Sequence, residues 1–212
     1  MKLYSFWRSS ASYRVRIALN LKGLAYTSVA KALGKGAHLA ADYTAVNPQG
    51  LVPALEDGGH VIAQSLAIME YLDETHPTPP FLPKDPLGRA TVRSLAQAIA
   101  CDIHPLNNLR VLNYLRGPLE QDDASVSTWY RHWIAVGFTS LEALAKRHSE
   151  TGRFFYGKGP SLADICLVPQ VYNARRFECD LAPYPTLVAL SAALESLPEF
   201  AAARPEAQPD AS

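Results

Sequence analysis

The sequence predicts an α+β fold in two parts, a mixed N-terminal portion followed by an all-helical remainder. Three observations carry that prediction. Short apolar strands alternate with amphipathic helices as far as Pro77. Residues 77–86, Pro-Thr-Pro-Pro-Phe-Leu-Pro-Lys-Asp-Pro, can propagate neither a helix nor a central strand. Beyond them the apolar spacing is helical. The expected organisation is a mixed domain at 1–77, an extended linker at 78–86 and an all-α domain at 87–212.

Leu3–Trp7 reads as a strand and Ser12–Leu21 as a helix stopped by Gly23. Tyr26–Leu33 is a second strand, followed by a Gly- and Lys-rich loop and a short helix over Leu39–Tyr43. Pro53–Glu56 and His60–Ala63 form a hairpin around Asp57-Gly58-Gly59, a strong turn signal. Ser65 then caps a helix running through Leu66, Met69 and Leu72 to before Pro77. The order βαβαββα is the thioredoxin-like arrangement. In the second part, Leu95, Ala98, Ile99, Ile103 and Leu106 place one long helix over Leu87–Leu115. Ser127–Arg147, Leu162–Arg176 and Leu187–Leu197 supply further helices, and the Ala/Pro-rich tail from Pro205 is expected to fray.

Composition narrows the function classes. The chain has 212 residues, 48% of them apolar, with 20 basic residues balancing 20 acidic ones, so no global field attracts nucleic acid or an anionic membrane. The N-terminus does not read as a secretion signal, and no apolar run approaches spanning length. Cys101, Cys166 and Cys179 lack metal-ligand spacing and read as reduced, mostly buried thiols. A cytoplasmic protein without a metal site is the expectation.

The chemistry-bearing residues cluster at strand-to-helix junctions. Ser9-Ser10-Ala11-Ser12 opens the first helix, where unpaired N–H groups and the macrodipole favour an anion. No phosphate loop is present, and a thiolate suits the same place, because a hydroxyl donor and a helix N-terminus both lower a thiol's pKa. Plain N-capping by serine is the competing explanation. Gln64-Ser65 forms a second such junction. Val52-Pro53 precedes a strand and admits a cis bond. Ser161-Leu162-Ala163-Asp164 matches a capping box and reads as structural, its loss costing about 1 kcal/mol. Asp102, His104, Asn108 and Arg110 surround Pro105, with His104 and Asn108 on one face at i, i+4 spacing. Arg14 and Arg16, in the body of the first helix, read as structural. Arg8 directly precedes the first junction, and Arg175-Arg176 ends the helix opened by the capping box, where cations ordinarily serve as dipole partners.

These motifs together resemble the zeta class of glutathione transferases, which includes maleylacetoacetate isomerases. Ser9-Ser10-Ala11-Ser12-Tyr13-Arg14-Val15-Arg16-Ile17-Ala18-Leu19 is similar to the S-S-C-S-x-R-V-R-I-A-L signature. The resemblance continues through Asn47-Pro48-Gln49-Gly50-Leu51-Val52-Pro53, Gln64-Ser65, Pro105–Leu109 and Ser161–Asp164. One departure stands out: the family's cysteine is Ala11 here.

The resemblance implies a glutathione transferase architecture, reduced glutathione as cofactor, an oxo dicarboxylate substrate and a homodimer. It assigns the cofactor's sulfur to Ser9 with Ser10 and Ala11, its cysteinyl part to the backbone of Val52 before a cis Pro53, and its γ-glutamyl end to Gln64 and Ser65. Lys35, His38 and Gln49 then face the glycyl carboxylate. Asp102, His104 and Asn108 complete the cofactor site, partly across a dimer interface, with an apolar patch near Tyr71 and Phe81. Ser9, Arg8, Arg110 and Arg176 are the implied catalytic set. The implied reaction is isomerisation of maleylpyruvate to fumarylpyruvate in aromatic-acid catabolism. The thiolate adds to the cis alkene, the resulting single bond rotates, and elimination regenerates the thiol. Maleylacetoacetate is the near alternative substrate. A conjugating transferase and a non-catalytic ligand-binding protein are the rival functions.

Overall fold

The computed structural model describes residues 1–211 and divides into two compact units, one of Met1–Phe81 with residues 196–211 and one of Leu82–Glu195.

In the first unit, strands β1 (Lys2–Ser5), β2 (Thr27–Ala30), β3 (Ala54–Asp57) and β4 (His60–Ala63) form one sheet in the order β2-β1-β3-β4. β1 runs parallel to β2 and antiparallel to β3, and β3 and β4 make the expected hairpin. The parallel pair requires a crossover, supplied by helix α1 (Ser10–Leu21). Every residue of α1 from Ser12 to Leu19 is buried, since it packs against both α3 (Ser65–Thr75) and α9 (Pro198–Ala202). Two short helical turns at Leu33–Lys35 and Ala37–Leu39 and helix α2 (Ala41–Thr44) fill the β2–β3 connection. The mixed α/β order therefore stands as read.

Two expectations about this unit change. The tail does not fray over its described residues; Ser212 lies outside them. Phe200, Ala203 and Pro205 are buried, and Asn20 Nδ2 donates to the Glu199 carbonyl at 2.9 Å, so the C-terminal segment packs with the N-terminal unit rather than the helical one. Phe81 is 1% exposed beneath the Lys22 ammonium, 4.0 Å from its ring centroid, and its N–H donates to Asp73. It is core and not a surface patch.

The second unit is helical: α4 (Pro86–Gln97), α5 (Leu109–Arg116), α6 (Asp123–His148), α7 (Leu162–Arg176) and α8 (Pro185–Glu195). α7 is buried nearly all round, its polar Asp164, Gln170 and Asn173 included, and packs against α4 and α8. Glu142, 5% exposed on α6, accepts from the Thr186 and Leu187 amides at 3.1 and 3.0 Å and so caps α8 from outside.

The long helix expected over Leu87–Leu115 is interrupted. A π-helical segment at Ala98–Ile103 and a 3₁₀ turn at His104–Asn107 separate α4 from α5. Pro105 cannot donate to the preceding turn. A Cβ on Gly137 of α6 would collide with the Ile103 side chain, so α6 approaches this segment closely. Cys101 is exposed on it, contrary to its expected burial.

Candidate active site

Ser9 sits at the N-cap of α1 with extended backbone (φ −69°, ψ 121°), and its Oγ accepts from the Ser12 N–H at 3.2 Å. Capping uses a lone pair and leaves the hydroxyl's own proton for a further acceptor. The capping and anion-binding readings of this serine are therefore compatible. No acidic residue occupies the first turn of α1, and Ser9 is half-buried rather than sealed. Ala11 lies in that turn without a thiol. Arg8, exposed, places its guanidinium 5.2 Å from the centre of the Trp7 ring.

The second junction differs in detail from its reading. Gln64, not Ser65, is the N-cap of α3; it has a φ of 72° and makes no side-chain cap bond. Ser65 is the first helical residue, 6% exposed, and its Oγ accepts from the buried Arg14 Nη1 at 3.3 Å. The Gln64 Nε2 donates to the Gln49 Oε1 at 3.0 Å, which brings together two residues fifteen positions apart. Gln49 is held by its own N–H donating to Asn47 Oδ1, whose amide nitrogen in turn donates to the Leu51 carbonyl. Tyr43 Oη donates to the same carbonyl at 2.6 Å, and burial raises that phenol's pKa. These bonds fix the approach to Val52-Pro53, whose peptide bond is cis.

Lys35 and His38 occupy the two short turns after β2. A Cβ on Gly50 would come within 3.2 Å of the His38 carbonyl, so the His38 turn abuts the turn that carries Gln49. His38 Nδ1 is buried with no hydrogen-bond partner.

In the helical unit, the i, i+4 face proposed for His104 and Asn108 does not exist. His104 opens the 3₁₀ turn, whereas Asn108 is extended (ψ 147°) and caps α5, its Oδ1 accepting from the Arg110 N–H at 3.1 Å. Asp102 and Arg110 are exposed on the π segment and the first turn of α5. At the end of α7, Arg175 pairs with Glu195 at 2.7 Å. Arg176 lies over the Phe177 ring at 4.6 Å, and that ring stacks on Tyr130. Burial pushes the Tyr130 phenol up, partly offset by the charge of Arg176.

The capping box of α7 is present as read. Asp164 Oδ2 accepts from the Ser161 N–H and Oγ, and its Oδ1 accepts from the Phe155 N–H at 2.7 Å. Asp164 is fully buried, and desolvation raises its pKa to about 6 in spite of these donors.

Two residues escaped the sequence reading. Trp7 lies under Arg8, and the signal was an aromatic residue directly before an arginine at a strand end. Gln170 is 1% exposed with neither carboxamide atom hydrogen-bonded, and its signal was a lone amide within the apolar run Ile165–Val171.

Residues 1–74 match the family model of the glutathione S-transferase N-terminal domain. The chain is 51% identical to the maleylpyruvate isomerase of a Ralstonia species over 212 residues, covering all of both chains. The chain belongs to the zeta class of glutathione transferases. Its fold matches the holo structure of a bacterial zeta-class maleylpyruvate isomerase, with a TM-score of 0.98, 51% identity and full coverage of both chains. It also matches the maleylacetoacetate isomerase of Methylobacterium extorquens AM1, solved with malonate and glutathione bound, with a TM-score of 0.96, 42% identity and full coverage of both.

Proposed function

We propose that this chain is a glutathione-dependent cis–trans isomerase that converts maleylpyruvate to fumarylpyruvate, with maleylacetoacetate as the alternative substrate. The observation that carries the reading is the N-terminus of α1: a half-buried Ser9 with no acid in the first turn, next to the exposed guanidinium of Arg8. Full-length similarity to isomerases of both substrates supports it.

The donor set fits the cofactor. An uncapped α3 N-terminus, the coupled Gln49 and Gln64 amides and an orphaned His38 ring nitrogen suit a ligand with carboxylates and amides. Glutathione, when bound, supplies a thiolate that adds reversibly to the alkene and so frees its bond to rotate. Ser9's hydroxyl and the amides of Ser10 and Ala11 hold that thiol ionised. The backbone of Val52 before Pro53 pairs with the cysteinyl peptide. Gln64 and Ser65 take the γ-glutamyl end, and Lys35, His38 and Gln49 take the glycyl carboxylate. Asp102, His104 and Asn108 are further contacts to the cofactor; Asn108 offers its amide nitrogen, since its oxygen caps α5. Arg8, Arg110 and Arg176 hold the substrate's carboxylates and offset charge developing on its carbonyl oxygen.

Ala11 removes the class thiol from this turn, so the protein contributes no nucleophile of its own there. The enzyme is further proposed to be a cytoplasmic homodimer of aromatic-acid catabolism; the thiols of Cys101 and Cys179 suit a reducing compartment. The test is turnover of maleylpyruvate by protein freed of glutathione, then resupplied with it. Loss and full recovery, with no net thiol consumed, are expected. Robust turnover without glutathione overturns the mechanism, and stoichiometric adduct formation makes the protein a conjugating transferase. Paired kcat/KM values on the two maleyl compounds decide the substrate.

A further inference from the structure

The peptide of Trp7, immediately before Arg8, is gripped from both sides by parts of the chain far from it. Its N–H donates to Asp210 Oδ2 at 3.0 Å, across 203 positions. Its carbonyl accepts from the buried Arg16 Nη2 at 2.8 Å. Arg16 also donates to the Phe6 carbonyl at 3.4 Å and, through Nε, to the Ala203 carbonyl at 3.0 Å. That same Phe6 carbonyl accepts from the Ser9 N–H at 3.0 Å. The segment 6–9 is thus tied to the C-terminal segment at two points.

The end that does the tying is itself anchored. Gln208 Nε2 donates to the Ala202 and Arg204 carbonyls at 3.0 and 2.8 Å, while Phe200 and Ala203 are fully buried. Asp210 therefore stands on a fixed base. The orientation of the Trp7 peptide sets the direction of its side chain, and the Trp7 ring is the surface on which the Arg8 guanidinium rests.

We propose that Asp210 is a positioning residue for the isomerisation: through the Trp7 peptide it aims the indole that holds Arg8 in place for the substrate carboxylate. This rests on the reading of Arg8 as a substrate-binding arginine. Asp210 touches neither substrate nor cofactor in this scheme, so its loss acts on substrate affinity and leaves the cofactor's affinity alone.

The experiment compares Asp210→Ala, Asp210→Asn, Arg8→Ala and the double variant Asp210→Ala/Arg8→Ala in the full-length protein with maleylpyruvate. Asp210→Ala is expected to raise KM about fivefold, the size of one cation–π contact, with kcat nearly unchanged. Glutathione affinity by calorimetry stays at the wild-type value. Asp210→Asn restores KM to within about twofold, because its carboxamide oxygen still accepts from the Trp7 N–H. In the Arg8→Ala background, Asp210→Ala adds nothing. A wild-type KM for Asp210→Ala, or an undiminished effect on top of Arg8→Ala, overturns the positioning role while leaving Arg8 standing. Arg8→Ala with an unchanged KM overturns the substrate reading and this proposal with it.

Discussion

The N-termini of α1 and α7 begin with the same residue type and come to opposite ends. At α7, Ser161 is followed by Asp164, whose carboxylate takes both Ser161 donors and the Phe155 amide, all of it buried. The positive pole of that helix is neutralised by the chain's own charge. At α1, Ser9 accepts from Ser12, but no acid follows in the first turn, and the serine stays half-buried. That pole has no acid of its own in the first turn, which is what the proposed anion site at Ser9 requires. A serine cap that is followed three residues later by a buried acid is closed by its own chain, whereas one without such an acid keeps its hydroxyl and helix pole available for the proposed role.

The comparison is tested most severely by Asp164→Ala. It leaves three buried donors without an acceptor, at roughly 1–3 kcal/mol each. The expected loss is about 3 kcal/mol or more in chemical unfolding, above the 1 kcal/mol of an ordinary cap, while the folded fraction keeps its kcat/KM. Next in size is Ser9→Ala, expected to lower kcat/KM roughly a hundredfold. Its stability falls by only about 1 kcal/mol. An unchanged thiol pKa in the glutathione complex, read from thiolate absorbance, would clear Ser9 of its electrostatic role.

Ala11→Asp makes α1 resemble α7 by placing a carboxylate in the first turn. Helix stability should hold or rise by a few tenths of a kcal/mol, while glutathione binds roughly tenfold more weakly by calorimetry. Equal affinity would mean that the α1 pole is not the anion site. The smallest effect is on pH. Asp164 titrates near 6 when folded, against 3.8 for an ordinary carboxyl, so the folded state holds its proton more tightly. This group's stabilisation is full below pH 3.8 and is lost as pH rises through about 6. Melting wild type and Asp164→Asn at pH 5 and pH 7 should show the wild type's advantage shrinking by a few degrees, about the shift 1 kcal/mol produces.

Much of this arrangement was legible in the residues. The alternation before Pro77 placed all four strands, and Ser161-x-x-Asp164 announced α7 to the residue. The interruption at 98–108 was not legible, because Pro105 predicts a kink without saying how the turns before it rearrange. The close approach of Gly137 to Ile103, set by the packing of α6, has no local signature. Ser65 was read as a cap because its type and place allow it; the hydroxyl went instead to Arg14, a partner fifty-one positions away. The tail misled for the same reason. Ala- and Pro-rich composition says that a segment lacks intrinsic order, and the order here comes from Arg16 and Trp7 near the other terminus.

Arg16 is wholly buried and donates to the Ala203 carbonyl. A nascent chain that has emerged only through Phe81 would hold this guanidinium with that acceptor still unsynthesised. The unit formed first in sequence is therefore completed last in time, when translation reaches the C-terminal residues. Ribosomes stalled short of Ala203 should display an N-terminal unit that proteases still cut.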